Sequence, residues 1–256
     1  MAAPFAVVPG AKLQPAERLL KTALHSWNQP SHVNPQEPPA PFITISRQPG
    51  AGTEVFSHRL AERLSELDRA PWTAWDRELL ERVSAETEIA RSVLEAIEER
   101  PHTWLDHFLE NISMSQTLPP LELKAYKKIM VTIRALASSG YAIIVGRGGT
   151  FITAGMPGGI HLRLVAPLEH RIQYVAERDR ITPSQAVGSI AFSEQNRTAF
   201  YRRYWPGKAI SPESFSLTLN AGELSVEEMV DCVVPLVRRR QLLGAQSLTS
   251  VVGAGA

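Results

Sequence analysis

The chain has 256 residues, 44% hydrophobic and 21% charged, proportions that suit one large α/β domain or two small ones. Its 27 Lys and Arg against 26 Asp and Glu leave a net charge of +1, which gives no global surface for nucleic acid or an anionic membrane and confines any basic function to a local cluster. A single cysteine, Cys232, excludes an internal disulfide and fits a reducing compartment such as the cytoplasm; no apolar run approaches the roughly 20 residues of a membrane-spanning helix, and the N-terminus lacks the basic-then-apolar order of a signal peptide.

Gln14 to Trp27 sets Leu19, Leu20, Ala23, Leu24 and Trp27 at helical spacing, and Asn28 to Pro41 follows with five prolines and no apolar period. Residues 1–41 therefore read as an N-terminal helix on a Pro-rich linker. Whether that helix docks or forms only transiently stays open, because short isolated helices are marginal in water. Phe42 to Ser46 is a β-branched strand, then comes a Pro-Gly-Ala-Gly turn, and Val55 to Leu67 reads as a helix with Phe56, Leu60 and Leu64 on one face. A second strand at Trp72 to Trp75 leads to Asp76 and a region of helical pattern over about 78–138, broken around Thr117 to Pro120, which reads as a helical insertion. Tyr141 to Val145 and Ile160 to Val165 are further strands, the first ending in Gly146-Arg147-Gly148-Gly149 and the second meeting Pro167 at a helix start. Thr182 with Gln185 and Ser225 with Glu228 have capping-box spacing and mark two helix starts, with a last short strand at Phe215 to Leu219 between them. About five strands interleaved with helices predict a parallel sheet covered on both faces, in a domain over 42–240 followed by a frayed tail over 241–256.

The first strand–loop–helix unit of such a sheet aims backbone amides at an anion on a helix N-terminus. Gln48, Pro49, Gly50, Ala51 and Gly52 occupy that place, and the small residues let the backbone approach a phosphate closely. Against the full pattern G-x-x-x-x-G-K-[ST], the first glycine falls on Arg47, the lysine on Thr53 and the hydroxyl residue on Glu54. Loss of the lysine removes a positive charge from the place where phosphoryl transfer develops negative charge. Arg47 is the candidate to compensate, Thr53 offers a hydroxyl, and Glu54 can hold a metal directly or through water. The alternative is a tight turn with no ligand at all.

The order of motifs resembles the cytidylate kinase-like family among the P-loop nucleoside monophosphate kinases. The resemblance covers most of Phe42 to Arg240 and rests on Ile43-Thr44-Ile45-Ser46-Arg47-Gln48 before Gly50-Ala51-Gly52, on Trp75-Asp76-Arg77-Glu78-Leu79-Leu80, on Ile144-Val145-Gly146-Arg147-Gly148, and on Asn196-Arg197 with Tyr201-Arg202-Arg203-Tyr204. It implies a P-loop NTPase-like three-layer fold, a helical monophosphate-binding region and an arginine-bearing lid over about 180–205. It also implies nucleotides as binding partners and Mg²⁺ entering with ATP as substrate. Gly146-Arg147-Gly148 is similar to a Gly-Arg-Asp segment that helps such kinases bind the acceptor nucleotide, with the aspartate absent here.

Arginine forks suit bidentate phosphate binding, and two groups are candidates: Arg171, Arg178 and Arg180 after the fourth strand, and Arg197, Arg202 and Arg203 on a later helix. Each has a solvated helix face as its alternative. Asp76 can organise an acceptor or metal, or simply cap a helix. Glu177 and Asp179 are expected to pair with neighbouring arginines, and Trp72, Trp75 and Trp104 to form core or groove wall. The seven histidines, His102 and His107 beside Trp104 included, show no metal-ligand spacing, so no protein-held metal is expected. The leading expectation is ATP-dependent phosphoryl transfer to a nucleoside monophosphate such as CMP or dCMP, with Arg47, Arg197 and Arg203 acting on the transferred group. The alternatives are a nucleotide-binding or regulatory module of the same fold and a kinase for another small metabolite.

Overall fold

The computed structural model describes residues 39–68, 70–76, 78, 80 and 120–252. The expected helix at Gln14 to Trp27, most of the helical insertion, and His102, Trp104 and His107 lie outside the described residues.

Five parallel strands form one sheet: β1 (Phe42–Arg47), β2 (Thr73–Trp75), β3 (Ala142–Val145), β4 (Gly159–Val165) and β5 (Leu217–Asn220), in the spatial order β2-β3-β1-β4-β5. β1 is central, with Ile43 beside Ile143 and Ile160, and Ile45 beside Val145 and Leu162. Alternation sends these side chains to one face, where they meet Phe56, Leu60 and Leu64 of α1 (Thr53–Asp68) and Met229, Val230, Val233 and Val237 of α6 (Val226–Val252). Burying each large side chain contributes about 1.5–3 kcal/mol, so this layer anchors the glycine loop that joins β1 to α1. Trp72 is buried in this layer and Trp75 is buried outside it, both as core residues.

Phe42, Thr44 and Ile144 point to the other face, which α2 (Pro120–Ser139) and α3 (Gly149–Ile152) cover. A polar tie runs through that layer: Thr44 Oγ1 lies 2.7 Å from His161 Nδ1 and 3.1 Å from Thr150 Oγ1. Helices on both faces of an all-parallel sheet complete the expected three-layer α/β architecture.

α4 (Leu168–Asp179) starts after Pro167 and stops at Arg180, which takes a left-handed conformation at φ 56°. α5 (Pro183–Tyr204) opens with the predicted capping box: Gln185 N donates to Thr182 Oγ1 at 3.3 Å, and Thr182 N donates to Gln185 Oε1 at 2.9 Å. Ser225 and Glu228 repeat the exchange before α6. α6 runs past Arg240, where the pattern predicts fraying, to Val252. The helix pair α4 and α5 has its own small core of Val175, Ala186 and Ile190, and α5 is buried at only Ala186 and Ile190 along 22 residues. It crosses the carboxyl end of the sheet as a long arm over the region predicted as a lid.

Candidate active site

The carboxyl ends of β1 and β3 open into a cavity of about 1000 Å³ walled by the glycine loop, the start of α1, the turn after β3, and one side of α5. Its base is set by the way the chain leaves β1. Gln48 N donates to Leu164 O at 2.9 Å, and Gln48 Oε1 accepts from Ala166 N at 2.9 Å, so this side chain staples the loop to β4. Gly50 sits at φ 80°, and a Cβ there would lie 2.8 Å from Arg171 O, so the turn requires glycine. Pro49 has no N–H to offer and Ala51 N donates back to Gln48 O at 3.3 Å, which leaves the amides of Gly50 and Gly52 to face an anion together with the positive end of the 16-residue α1.

Thr53, at the position of the missing lysine, is 8% exposed, and its Oγ1 finds no hydrogen-bond partner among the described residues. Buried hydroxyls are nearly always satisfied, so an orphan at a helix N-terminus on a cavity wall points to a ligand oxygen. Glu54 follows on the same wall as the acidic residue of the first turn.

The turn after β3 has an unusual backbone: Gly146, Arg147 and Gly148 stand at φ 81°, 52° and 74° in succession. A Cβ on Gly146 would fall 1.7 Å from the Nη1 of Arg47, so the absence of a side chain there is what seats the Arg47 guanidinium. Arg147, a non-glycine in a conformation that costs on the order of 1–3 kcal/mol, places its guanidinium 5.9 Å from the Phe200 ring centroid. Its carbonyl accepts from the hydroxyl of Tyr126 at 3.0 Å.

α5 supplies the roof. Arg197 donates to the Arg47 carbonyl, and burial together with the neighbouring Arg47 charge pushes its pKa down to about 10. Two guanidinium groups held this close in a partly dry site raise the local demand for an anion. Arg203 and Asn196 share the wall, and Arg178 closes one edge, chelated by Asp179 at 2.7 and 2.8 Å and lying 5.8 Å from the Tyr174 ring centroid. Five arginines (Arg47, Arg147, Arg178, Arg197, Arg203) therefore line the cavity against three carboxylates (Glu54, Asp76, Glu78). The cavity wall thus carries more arginine than carboxylate, a local positive excess in a chain of net charge +1.

Residues 47–54, Asp76, Arg147, Arg178, Arg197 and Arg203, all singled out from sequence, come together on this wall. Three other candidate arginines do not. Arg171 is 7% exposed and turned away into the backbone, donating to Ala166 O at 3.1 Å, to Pro49 O at 3.4 Å and to Glu194 Oε1 at 2.7 Å. Arg180 ends α4 in solvent, two residues beyond Arg178 and so across the helix axis from it, and Arg202 lies on the outer side of α5, one residue out of phase with Arg203. Sequence reasoning passed over Ser189, Phe192 and Ser193, whose spacing with Asn196 on α5 is the helical period of the cavity wall. It also passed over Tyr126, which no motif marks.

A family model described as the cytidylate kinase-like family matches residues 42–223. The chain is similar to a cytidylate kinase of Sulfolobus acidocaldarius, 30% identical over 88 residues that cover 34% of this chain and 47% of that protein. It is also similar to a uronate isomerase of Corynebacterium glutamicum, 24% identical over 104 residues, 41% of this chain and 20% of that protein. The chain thus spans about a fifth and about half of these two curated relatives. Among solved structures, an uncharacterized protein from Eubacterium ventriosum shares the fold with a TM-score of 0.60 at 18% identity, over 78% of this chain and 98% of that one. Among the described residues no helix is long and apolar enough to cross a membrane.

Proposed function

The chain belongs to the cytidylate kinase-like family, and on that premise we propose that it transfers the γ-phosphoryl group of ATP to a nucleoside monophosphate, with CMP and dCMP the first acceptors to test. The observation that carries this reading is the convergence, in one cavity, of the glycine-loop amides, the orphan hydroxyl of Thr53 and five arginines drawn from four separate segments of the chain. An acceptor phosphate oxygen attacks the γ-phosphorus in line, the bond to the β,γ-bridging oxygen breaks, and ADP leaves with that electron pair. The acceptor oxygen is already anionic, so no protein base is needed. What the protein supplies is position and positive charge.

In this scheme residues 48–53 hold the donor phosphates, with Gln48 acting through its clamp on β4. Arg47 and Arg197 stand in for the missing lysine, Arg203 and Arg178 close over the donor from α5 and α4, and Arg147 holds the acceptor phosphate. Asp76 and Glu54 face the same space. Among the described residues no group of three or more His, Cys, Asp or Glu side chains could hold a metal ion. That donor set fits Mg²⁺ arriving on the nucleotide phosphates, with Glu54, Asp76 and the Thr53 hydroxyl as hard oxygen donors beside it. Bound there, Mg²⁺ would neutralise charge on the donor phosphates.

A second reading has one observation in its favour: the residue at the lysine position is Thr53, which carries no charge. It makes the chain a nucleotide-binding module of the same fold with little turnover. ADP release from Mg-ATP over CMP, dCMP, UMP and AMP, with an Arg147→Ala control, separates the two. Acceptor-dependent release that is lost in the control supports the kinase. Absence of release with all four acceptors, alongside nucleotide binding, leaves the module.

A further inference from the structure

Tyr126 is the buried meeting point of α2, the turn after β3 and the end of α5. Its hydroxyl donates to the Arg147 carbonyl at 3.0 Å and accepts from Trp205 Nε1 at 3.3 Å. Its ring stands edge-on to Phe200 with centroids 5.5 Å apart and lies against Tyr204 at 3.9 Å. Phe200 and Tyr204 belong to the helix that carries Arg197 and Arg203, and Trp205 caps it.

The bond to the carbonyl fixes the peptide plane between Arg147 and Gly148. In a run of three left-handed residues, that plane decides the direction in which the Arg147 side chain leaves the backbone. Gly148 permits the contact: a Cβ there would lie 2.9 Å from the Tyr126 hydroxyl and 2.8 Å from Trp205 Nε1. Burial raises the pKa of the phenol far above its ordinary value, so the donor stays protonated through the physiological range. Tyr126 is itself no part of the cavity wall, whereas Arg147 and Phe200 are.

Taking the phosphotransfer reading above as its basis, we infer that Tyr126 is a positioning residue whose hydroxyl, held in place by Trp205, aims Arg147 at the acceptor phosphate. A residue that acts only through Arg147 alters acceptor binding and leaves the donor site alone, since the glycine loop is held from the other side by Gln48 and Arg171. Loss of one neutral hydrogen bond predicts an effect of about fivefold.

Tyr126→Phe, which keeps the ring packing, is the variant to test, with two readouts. Amide hydrogen exchange at Gly149, whose N–H closes the turn on Gly146 O at 2.9 Å, is expected to quicken about fivefold while exchange across residues 53–60 holds its wild-type rate. The KM for the best acceptor among CMP, dCMP, UMP and AMP is expected to rise by a similar factor with the KM for Mg-ATP unchanged. Unchanged exchange in the turn overturns the inference, as does a rise in both KM values together. Should the wild-type protein turn over none of the four acceptors, the phosphotransfer reading fails, and the exchange measurement alone then decides whether Tyr126 holds the Arg147 turn.

Discussion

At the scale of single residues, the cavity depends on side chains turned away from it as much as on those that line it. Arg171 is the clearest case: charge and position alone make it a phosphate-binding candidate, yet its guanidinium is spent on two backbone carbonyls and Glu194. It holds Pro49 from behind, and a Cβ at Gly50 would meet its backbone oxygen, so the glycine loop rests on it. Arg171→Met keeps the packed stem and removes the donors, leaving two carbonyls undersatisfied at a cost of about 1–3 kcal/mol. For a chain of this size that lowers Tm by about 2–4 °C per kcal/mol. The expected result is a Tm loss together with several-fold weaker Mg-ATP binding by calorimetry. A lower Tm with wild-type affinity for Mg-ATP would reduce Arg171 to general packing and detach it from the phosphate loop.

At the scale of elements, strands and helices were legible because their signals are local. The β-branched runs fix β1, β3 and β4, and two capping boxes start α5 and α6 at the residues where their side chains can reach back to the cap amide. The glycine loop was legible for the same reason, since a short strand, three small residues and a helix follow one another in sequence. What the sequence conceals is which partner a helical side chain meets. Arg171 and Arg178 lie seven residues apart on one side of α4, yet only Arg178 reaches the cavity, and Tyr126 reaches Arg147 across 21 residues with no motif to announce it. The polar tie between β1, β4 and α3 was hidden likewise, because a lone histidine in a strand carries no signal of its partner. His161 there bonds to Thr44, and burial, aided by the Arg240 charge, lowers its pKa below 6.5. A base whose pKa is lower folded than unfolded binds protons more readily when unfolded, so its contribution is fully present above about pH 6.5 and is lost as pH falls from there toward the folded pKa. Denaturant titrations of wild type and His161→Gln are expected to converge as pH falls below about 6.5. A gap that stays constant from neutral pH to pH 5 would show that protonation of His161 has no part in the acid limb.

At the scale of the molecule, the design is a rigid sheet with a lightly anchored arm. The sheet and its two helical layers hold the glycine loop and the Arg147 turn. α5, buried at only two of its residues, brings Arg197 and Arg203 over them with Phe192 left 65% exposed at the cavity wall. Beyond those two residues the arm is held by the rings of Phe200 and Tyr204 on Tyr126 and by the Glu194–Arg171 pair, and the half-buried, mutually repelling pair of Arg47 and Arg197 gives it a reason to close on an anion. Binding to the folded state alone stabilises it by about 2.7 kcal/mol at a hundredfold excess over Kd. At about 2–4 °C per kcal/mol, saturating Mg-ATP should therefore raise Tm by several degrees. Arg197→Met removes the charge but keeps much of the stem, and so relieves the repulsion while discarding the reward: its ligand-free Tm should match or exceed that of wild type, and its Mg-ATP shift should largely vanish. This pairing of opposite signs discriminates between roles, because an arginine that merely braces the arm would lower the ligand-free Tm when replaced and leave the shift intact. If that second pattern is found, the anion-driven closure of α5 fails as an account of the site, and Arg47 with the loop amides must hold the donor phosphates without help from above.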